Sequence, residues 1–167
     1  MTAEPEAAWR LRTARVGEAA LLSGIAHASK AHWPYPAVQL ARWRDDLRVE
    51  PAQIDARYAR VAEASAGEVA GFSIIVPPAT GTGGDWLLDH LWVLPGHTGL
   101  GIGRALLEAA RQLAAAQGAS AMHIDADPHA EAFYLAHGAQ RIGTIAAPIE
   151  GQPGRVRPQL RLSITTG

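Results

Sequence analysis

The 167-residue chain contains no cysteine. This absence excludes a disulfide framework, a thiol nucleophile and a thiolate metal site. No run of about 18 apolar residues occurs, so no membrane-spanning helix is expected. Charge of one sign is not in excess either, since 15 Lys and Arg residues oppose 16 Asp and Glu residues, for a net charge of −1. This balance predicts neither a nucleic-acid partner nor an anionic-membrane partner.

The first ten residues, MTAEPEAAWR, lack the basic segment followed by an apolar segment that marks a secretory signal. A cytoplasmic location is therefore expected. Hydrophobic residues make up 48% of the chain and charged residues 19%, which is typical of a globular protein. The length fits one domain, and we expect it to span residues 1–167.

Periodicity and turn residues predict elements in the order β-α-α-β-β-β-α-β-α-β-β, an α/β domain with a mixed sheet. The first helix is expected within residues 16–33 and ends before Pro34. A second helix is predicted over residues 37–47, with a shorter turn after Pro51, and the long helix over residues 100–117. The stripe expected to pack inward from the first helix consists of Leu21, Leu22, Ile25 and Ala26.

Three glycines alternate in the stretch VLPGHTGLGIGRALLEAA, at positions Gly99, Gly101 and Gly103, between a strand and the long helix. The first N–H groups of a helix are unpaired, and with the positive end of the helix dipole they form an anion site. Without Cβ atoms a phosphate can approach these amides directly. The alternative is a tight turn with close packing of helix on sheet.

Two well-known phosphate loops do not fit this stretch. The P-loop pattern G-x-x-x-x-G-K-[ST] requires a lysine, and the chain's single lysine is the distant Lys30. The dinucleotide pattern G-x-G-x-x-G fails because its third glycine would fall at Arg104 or Leu106. Asp125 lies where a ribose-binding acid is expected, but the glycine turn follows at least three strands instead of opening the domain.

The stretch LWVLPGHTGLGIGRALL resembles the acyl-CoA-binding motif of the GCN5-related N-acetyltransferases, in which a strand ending in V-x-P precedes [QR]-x-x-G-x-[GA] and a helix. DPHAEAFYLAHGAQRIG is similar to their second motif, an F-Y pair on a helix before a glycine and a strand. The order of predicted elements also resembles theirs. The resemblance implies a single domain with a mixed, mostly antiparallel sheet flanked by helices.

The resemblance further implies acetyl-CoA as co-substrate, with its pyrophosphate on the amides of residues 99–104 and its pantetheine arm on the preceding strand. Three positions depart from the family pattern. Thr98 stands where Gln or Arg is usual, and Leu100 stands at the following basic position. Asp127 stands where Asn is frequent, so its charge needs a cation, for which Arg104 is the candidate. The expected acetyl-CoA-binding residues are Leu91, Trp92, Val93, Gly99, Leu100, Gly101, Ile102, Gly103, Arg104 and Asp127.

In the implied chemistry an amine attacks the thioester directly, without a covalent enzyme intermediate. Tyr134 matches the family's general acid for the leaving thiolate; the alternative is that Phe133 and Tyr134 only pack helix against sheet. Asp89 and His90 are the candidate general bases, because a carboxylate or histidine near the acceptor must take the ammonium proton. The alternative for each is that it is an ordinary strand residue without a catalytic role.

The stretch SKAHWPYP lies between the first two helices, where relatives build the acceptor pocket, and His32, Trp33 and Tyr35 are the candidate acceptor-binding residues. Packing on Trp43 is the alternative. The loop PIEGQPGRVRP either closes over the acceptor or forms a homodimer interface. The histidines show no metal-binding spacing, and no metal is expected.

The expected function is acetyl transfer from acetyl-CoA to a primary amine of a small molecule or peptide. Two alternatives remain: a non-catalytic acyl-CoA sensor, and a dinucleotide-binding oxidoreductase.

Overall fold

A computed structural model describes residues 8–79 and 84–164. Within these residues the strands are β1 Trp9–Thr13, β2 Ala59–Ala64, β3 Val69–Val76, β4 Trp86–Val93, β5 Ala121–Asp125, β6 Gln140–Ala146 and β7 Val156–Ser163. The helices are α1 Ala19–Ala31, α2 Ala37–Arg42, α3 Pro51–Asp55, α4 Ile102–Ala116 and α5 Glu131–Ala136. The predicted order is confirmed, with the turn expected after Pro51 forming the short helix α3.

The strands form one sheet in the order β1-β2-β3-β4-β5-β7-β6. Every neighbouring pair is antiparallel except β4 and β5, which are parallel. The predicted mixed, mostly antiparallel sheet is therefore confirmed. β4 and β5 pair only at Trp86 with Met122 and at Leu87 with His123. Beyond these pairs the two strands separate towards their carboxyl ends, and the sheet opens at its centre.

The helices cover both faces of the sheet. Leu22, Ile25 and Ala26 of α1 are buried in a cluster with the β3 residues Phe72 and Ile74. On the other face, α4 buries its apolar stripe against the sheet, and Tyr134 of α5 packs in the same core as Leu107. No helix in the described part of the chain is long and apolar enough to cross a bilayer.

Three sequence predictions need correction. Leu21 is 50% exposed, because it lies about 90° around α1 from the centre of the buried stripe of Leu22, Ile25, Ala26 and Ser29. α4 begins at Ile102 instead of residue 100, since Gly101 has a left-handed φ of 80° that a right-handed helix cannot contain. α2 ends at Arg42, five residues early, and the following turns place Leu47 in the core beside α1. Part of the loop predicted after β3, residues 80–83, lies outside the described residues.

Candidate functional site

The three alternating glycines have two different roles. Gly99 and Gly101 have left-handed φ values of 81° and 80°, and a Cβ on either would meet no atom within 4 Å. A Cβ on Gly103 would lie 3.4 Å from the ring of Phe133 and 3.7 Å from Val93. The first two glycines therefore form a turn beside open space, while the third allows close packing of α4 on α5 and β4.

The N-terminus of α4 presents free amides to that space. The N–H of Ala105 donates to the carbonyl of Gly101 at 3.1 Å, so the N–H groups of Ile102, Gly103 and Arg104 have no acceptor within the helix. The helix has no side-chain cap and no acidic residue in its first turn. Together with the helix dipole, these donors suit an anion.

The turn is held from outside by β1. The indole Nε1 of Trp9 donates to the carbonyl of Leu100 at 3.1 Å, across 91 residues of sequence. The Thr98 hydroxyl donates to the carbonyl of Pro95 at 3.1 Å. These bonds fix carbonyls on either side of Gly99, so Trp9 is a positioning residue for the turn.

A first cavity of about 520 Å³ lies along this turn, between the separated ends of β4 and β5. Eight of the ten predicted acetyl-CoA-binding residues line it: Leu91, Trp92, Val93, Gly99, Gly101, Ile102, Gly103 and Arg104. Leu100 and Asp127 do not. Because β4 pairs with β5 only at Trp86 and Leu87, the β5-facing edge of residues 91–93 is left without a strand partner.

Tyr134 also lines the first cavity, although only 7% of the residue is exposed. Burial raises the pKa of its hydroxyl above the usual value, so the group is protonated at neutral pH. Its ring packs edge-on against Phe133, with centroids 5.2 Å apart. The Phe133–Tyr134 pair thus does pack helix against sheet, and it also places a protonated hydroxyl beside the cavity.

A second cavity of about 590 Å³ lies on the other side of the opened sheet. Trp92 lines both cavities, so the two are adjacent at this residue. The second cavity is lined by charged side chains from several elements: Lys30, Asp46, Asp89, Asp125, Asp127, Arg155 and Arg157. His90 lines neither cavity.

A bulge in β4 separates the two candidate bases. Ile74 pairs with His90 and Ile75 with Leu88, which leaves Asp89 as the extra residue, directed at the second cavity. Asp89 is exposed, whereas His90 is 5% exposed and packs on Phe72. The two side chains therefore differ in exposure, although the His90 Nε2 and a carboxylate oxygen of Asp89 lie within 3.6 Å of each other.

His90 connects Asp89 to Trp92. Its Nδ1 accepts a hydrogen bond from the Trp92 indole at 3.0 Å, and its Nε2 lies 3.6 Å from a carboxylate oxygen of Asp89. Burial lowers the pKa of His90, against the opposing charge of Asp89. The neutral ring therefore carries its proton on Nε2, and its lone pair is occupied by Trp92. Asp89 also accepts a bond from the Gln53 amide at 2.7 Å.

Asp127 belongs to the second cavity, and its partners differ from those expected. One carboxylate oxygen accepts bonds from Lys30 and the Tyr35 hydroxyl, both at 2.8 Å, and lies 3.4 Å from Arg155. The other accepts the N–H of His129 at 2.8 Å. Arg104, the cation expected to balance Asp127, lines the first cavity instead. Burial alone would raise the pKa of Asp127, but the Lys30 hydrogen bond and charge lead the contacts that hold it below its usual value.

Two of the three predicted acceptor residues line the first cavity, and the third, Tyr35, lines neither cavity. His32 and Trp33 line the first cavity, and the Trp33 ring stacks on His129 with centroids 5.6 Å apart. Tyr35 is buried and packs edge-on against Trp43 at 4.8 Å, as the alternative interpretation of this loop expected. Burial raises its pKa to about 12, so its hydroxyl is a donor to Asp127.

The model of the acetyltransferase (GNAT) family matches residues 24–139, more than half of the chain. The chain belongs to this family. Comparison with curated proteins gives no match.

Several solved structures share the fold of this GNAT chain. A GCN5-related N-acetyltransferase from Rhodopseudomonas palustris is 25% identical, with a TM-score of 0.71 over 92% of this chain and 94% of that one. The Salmonella typhimurium protein yncA, solved with acetyl-CoA, is 18% identical, with a TM-score of 0.70 over 95% of each chain. The PaiA N-acetyltransferase of Thermoplasma acidophilum, solved with coenzyme A, is 14% identical, with a TM-score of 0.68 over 93% of this chain and 98% of that one.

Sequence patterns missed several residues of this GNAT site. Ser29 donates to the carbonyl of Val93 at 3.2 Å and lines the first cavity. Arg155, in the loop whose role was left open, reaches Asp127 in the second cavity. Both contacts join segments that are distant in sequence, so no local spacing could reveal them. Over residues 8–79 and 84–164, no cluster of three or more His, Asp or Glu residues could hold a metal ion.

Proposed function

We propose that the chain transfers the acetyl group of acetyl-CoA to a primary amine by direct attack, with both substrates bound at once. The observation that carries this proposal is the pair of cavities adjacent at Trp92. One cavity offers free helix amides to an anion, and the other presents the Asp89 carboxylate. Each substrate can then occupy its own cavity, with the reacting atoms meeting where the sheet opens.

The residues of the first cavity fit acetyl-CoA. The free amides of Ile102, Gly103 and Arg104 would hold the pyrophosphate, and the room beside Gly99 and Gly101 lets it approach the backbone. The unpaired β5-facing edge of β4 would bind the pantetheine amides as a strand would. The coenzyme A and acetyl-CoA in the related Thermoplasma and Salmonella structures support this assignment.

Two side chains supply the proton transfers, and a third positions one of them. Asp89 accepts the proton that the amine must lose, directly or through one water, and so frees the nitrogen lone pair for attack on the thioester carbon. As the carbon–sulfur bond breaks, Tyr134 donates its proton to the departing sulfur. His90, with its lone pair held by Trp92, is a positioning residue that orients Asp89 and Trp92.

Thermal unfolding with and without excess acetyl-CoA tests the proposal first. Ligand at about 100 times its dissociation constant adds roughly 2.7 kcal/mol to the free energy of unfolding. For a chain of this length, the midpoint should rise by about 5–10 °C. NAD and ATP are the controls and should give no comparable rise. A rise with NAD alone would favour the dinucleotide-binding alternative, and binding of acetyl-CoA without turnover on any amine would favour a sensor.

Replacing Gly101 by Ala tests the glycine turn. A non-glycine residue at this left-handed φ costs about 1–2 kcal/mol, and the added methyl group occupies the space assigned to the phosphate. We expect the acetyl-CoA dissociation constant, measured by calorimetry, to rise about tenfold or more, which is about 1.4 kcal/mol.

Gly118→Ala is the matched control. Gly118 has a φ of 82° and open space around a Cβ, but it follows the far end of α4. Both variants should therefore lose similar stability, and only Gly101→Ala should lose affinity. Equal affinities for acetyl-CoA in the two variants would contradict the placement of the pyrophosphate.

A further inference from the structure

A buried cluster of charged and aromatic side chains forms one end of the second cavity. Lys30, Asp127 and Arg155 have side-chain exposures of 13%, 5% and 5%. The Lys30 ammonium lies 4.4 Å from the ring centroid of Trp43, and the Arg155 guanidinium lies 5.1 Å from the same ring. Tyr35 packs against both cations and Asp127. The cluster joins α1, the loop before α2 and the loop before β7.

This cluster holds two cations and one carboxylate, so it carries one uncompensated positive charge. Such a charge is costly away from water unless another group neutralises it. Lys30 makes its hydrogen bond with Asp127, and its other contacts in the described structure are aromatic rings, which leaves two N–H donors for a ligand. Arg155 donates to Ala147 and Tyr35, and its buried Nε has no partner among the described residues.

The rest of the cavity wall has the opposite character. Asp125 is already paired with Arg157, whose Nε lies 2.8 Å from the carboxylate. Asp46 and Asp89 are the other carboxylates of the wall, which also contains apolar residues of β4 and of the loop before β7. The cavity is therefore bipolar, with an excess positive charge in the Lys30 cluster and, elsewhere on its wall, the Asp89 carboxylate, which has no cationic partner beyond the neutral His90.

Resting on the proposed function, we infer that the acceptor is a small amine that also carries a carboxylate, of the α-amino acid class. Its carboxylate accepts hydrogen bonds from Lys30 and is also attracted by the positive charge of Arg155. The carboxylate thereby neutralises the excess charge of the cluster. Its amine faces Asp89, where it loses a proton. A single negative charge suffices, so a monovalent carboxylate fits the cluster better than a phosphate dianion. The cavity volume of about 590 Å³ suits a small molecule.

The first experiment compares matched acceptors with the wild-type chain and saturating acetyl-CoA. Each set contains an α-amino acid, its carboxamide and the decarboxylated amine, and release of the coenzyme A thiol is measured. We expect kcat/KM for the amino acids to exceed that for the other two members by about ten- to hundredfold, as for a charge-assisted hydrogen bond. Equal or greater turnover of the decarboxylated amines would overturn the inference.

The second experiment uses Lys30→Met, which keeps the length of the side chain and removes its charge. Asp127 retains Arg155 and Tyr35 in this variant, so the cluster becomes neutral and the chain should fold. We expect KM for amino acids to rise about ten- to hundredfold, with little change in the dissociation constant of acetyl-CoA or in turnover of decarboxylated amines. Lys30→Arg should restore part of the affinity.

Arg161→Gln is the control variant. Arg161 pairs with Asp85 at the surface, outside both cavities, with 47% of its side chain exposed. This variant should bind amino acids as the wild type does. An equal rise in KM for every amine in Lys30→Met would mean that Lys30 only shapes the cavity, and would overturn the inference.

Failure of this inference differs from failure of the proposed function. If acetyl-CoA binds and neutral amines are acetylated while amino acids are not, the acetyltransferase assignment stands and the acceptor class is wrong. If acetyl-CoA does not bind, the proposed function itself fails. In that case, calorimetry with amino acids alone still reports whether the Lys30 cluster binds a carboxylate.

Discussion

Tyr134→Phe is expected to slow acetyl transfer by about 10²- to 10⁴-fold, the contribution of a positioned general acid. Tyr134 lines the first cavity, and burial raises the pKa of its hydroxyl, so the group holds a proton at neutral pH. Without that proton the thiolate must leave unprotonated. Since phenylalanine keeps the ring that packs on Phe133, the dissociation constant of acetyl-CoA should change little. The single-turnover rate is the measurement, because release of product can limit kcat.

Tyr58→Phe is the matched control, since it removes a hydroxyl from a half-buried tyrosine that lies outside both cavities and packs edge-on against Trp86 at 5.0 Å. Its transfer rate should equal that of the wild type. Because the pKa of Tyr134 is raised, the transfer rate should show no decrease from deprotonation of this residue below about pH 10, the ordinary tyrosine pKa. An unchanged single-turnover rate in Tyr134→Phe would contradict the role of general acid and leave the packing interpretation of the Phe133–Tyr134 pair.

Local patterns in the sequence predicted the fold well. Alternation and turn residues located every strand, and the glycines marked both ends of α4, because these signals depend on neighbours in the chain. Element ends were less accurate. The end of α2 could not be predicted, since nothing in the local sequence states that Leu47 must reach the core beside α1. The error at Leu21 has a similar origin. Residues 21 and 22 are both leucine, and only the packing of α1 on the sheet determines which of the two side chains is buried.

In the candidate site, too, residues that lie close together in the sequence could be predicted, whereas contacts between distant segments could not. The glycine turn, Tyr134 and the strand residues 89–93 lie in two compact motifs, and the structure places most of them on the cavities. Asp127 shows the limit of this reasoning. Its partner Lys30 is 97 residues away and Arg155 is 28 residues away, and each lies on a different element. The opening between β4 and β5 brings these segments together. It forms because the parallel pairing of the two strands ends after Leu87, and the hydrophobic periodicity of the sequence does not show where strand pairing ends.

Asp127→Asn is expected to lower the free energy of unfolding by about 3 kcal/mol. Asp127 is the carboxylate for both Lys30 and Arg155, and removing one member of a buried charged group leaves the others uncompensated, which costs about 3–5 kcal/mol. The lower end applies because the amide oxygen can still accept the bond from the N–H of His129, while the amide N–H can donate to the Tyr35 hydroxyl. The unfolding midpoint should fall by about 6–12 °C. Chemical denaturation at pH 7 measures the change directly.

The difference between wild type and Asp127→Asn should also depend on pH. Burial alone would raise the pKa of Asp127, but the contacts from Lys30, the N–H of His129 and Tyr35 together hold it below its usual value in the folded state. A carboxylate whose pKa is lowered by folding contributes stability that is fully present above its unfolded pKa, about 3.9. That contribution is lost as the pH falls through the lower, folded pKa. The two proteins should therefore differ fully at pH 5–7 and converge below about pH 4.

Asp125→Asn separates burial from charge pairing. Asp125 lies two residues before Asp127, pairs with Arg157 and is 38% exposed, against 5% for Asp127. Water screens an exposed pair and solvates the arginine that is left behind, so Asp125→Asn should lose less than about 1 kcal/mol. Adding Lys30→Met to Asp127→Asn should recover part of the lost stability, since it removes one of the two stranded cations. Two outcomes would contradict this account: equal losses of stability at positions 125 and 127, or no recovery in the double variant. Either would mean that the cluster carries no excess positive charge when Asp127 is neutralised. A cluster without that charge could not recruit a carboxylate to the second cavity.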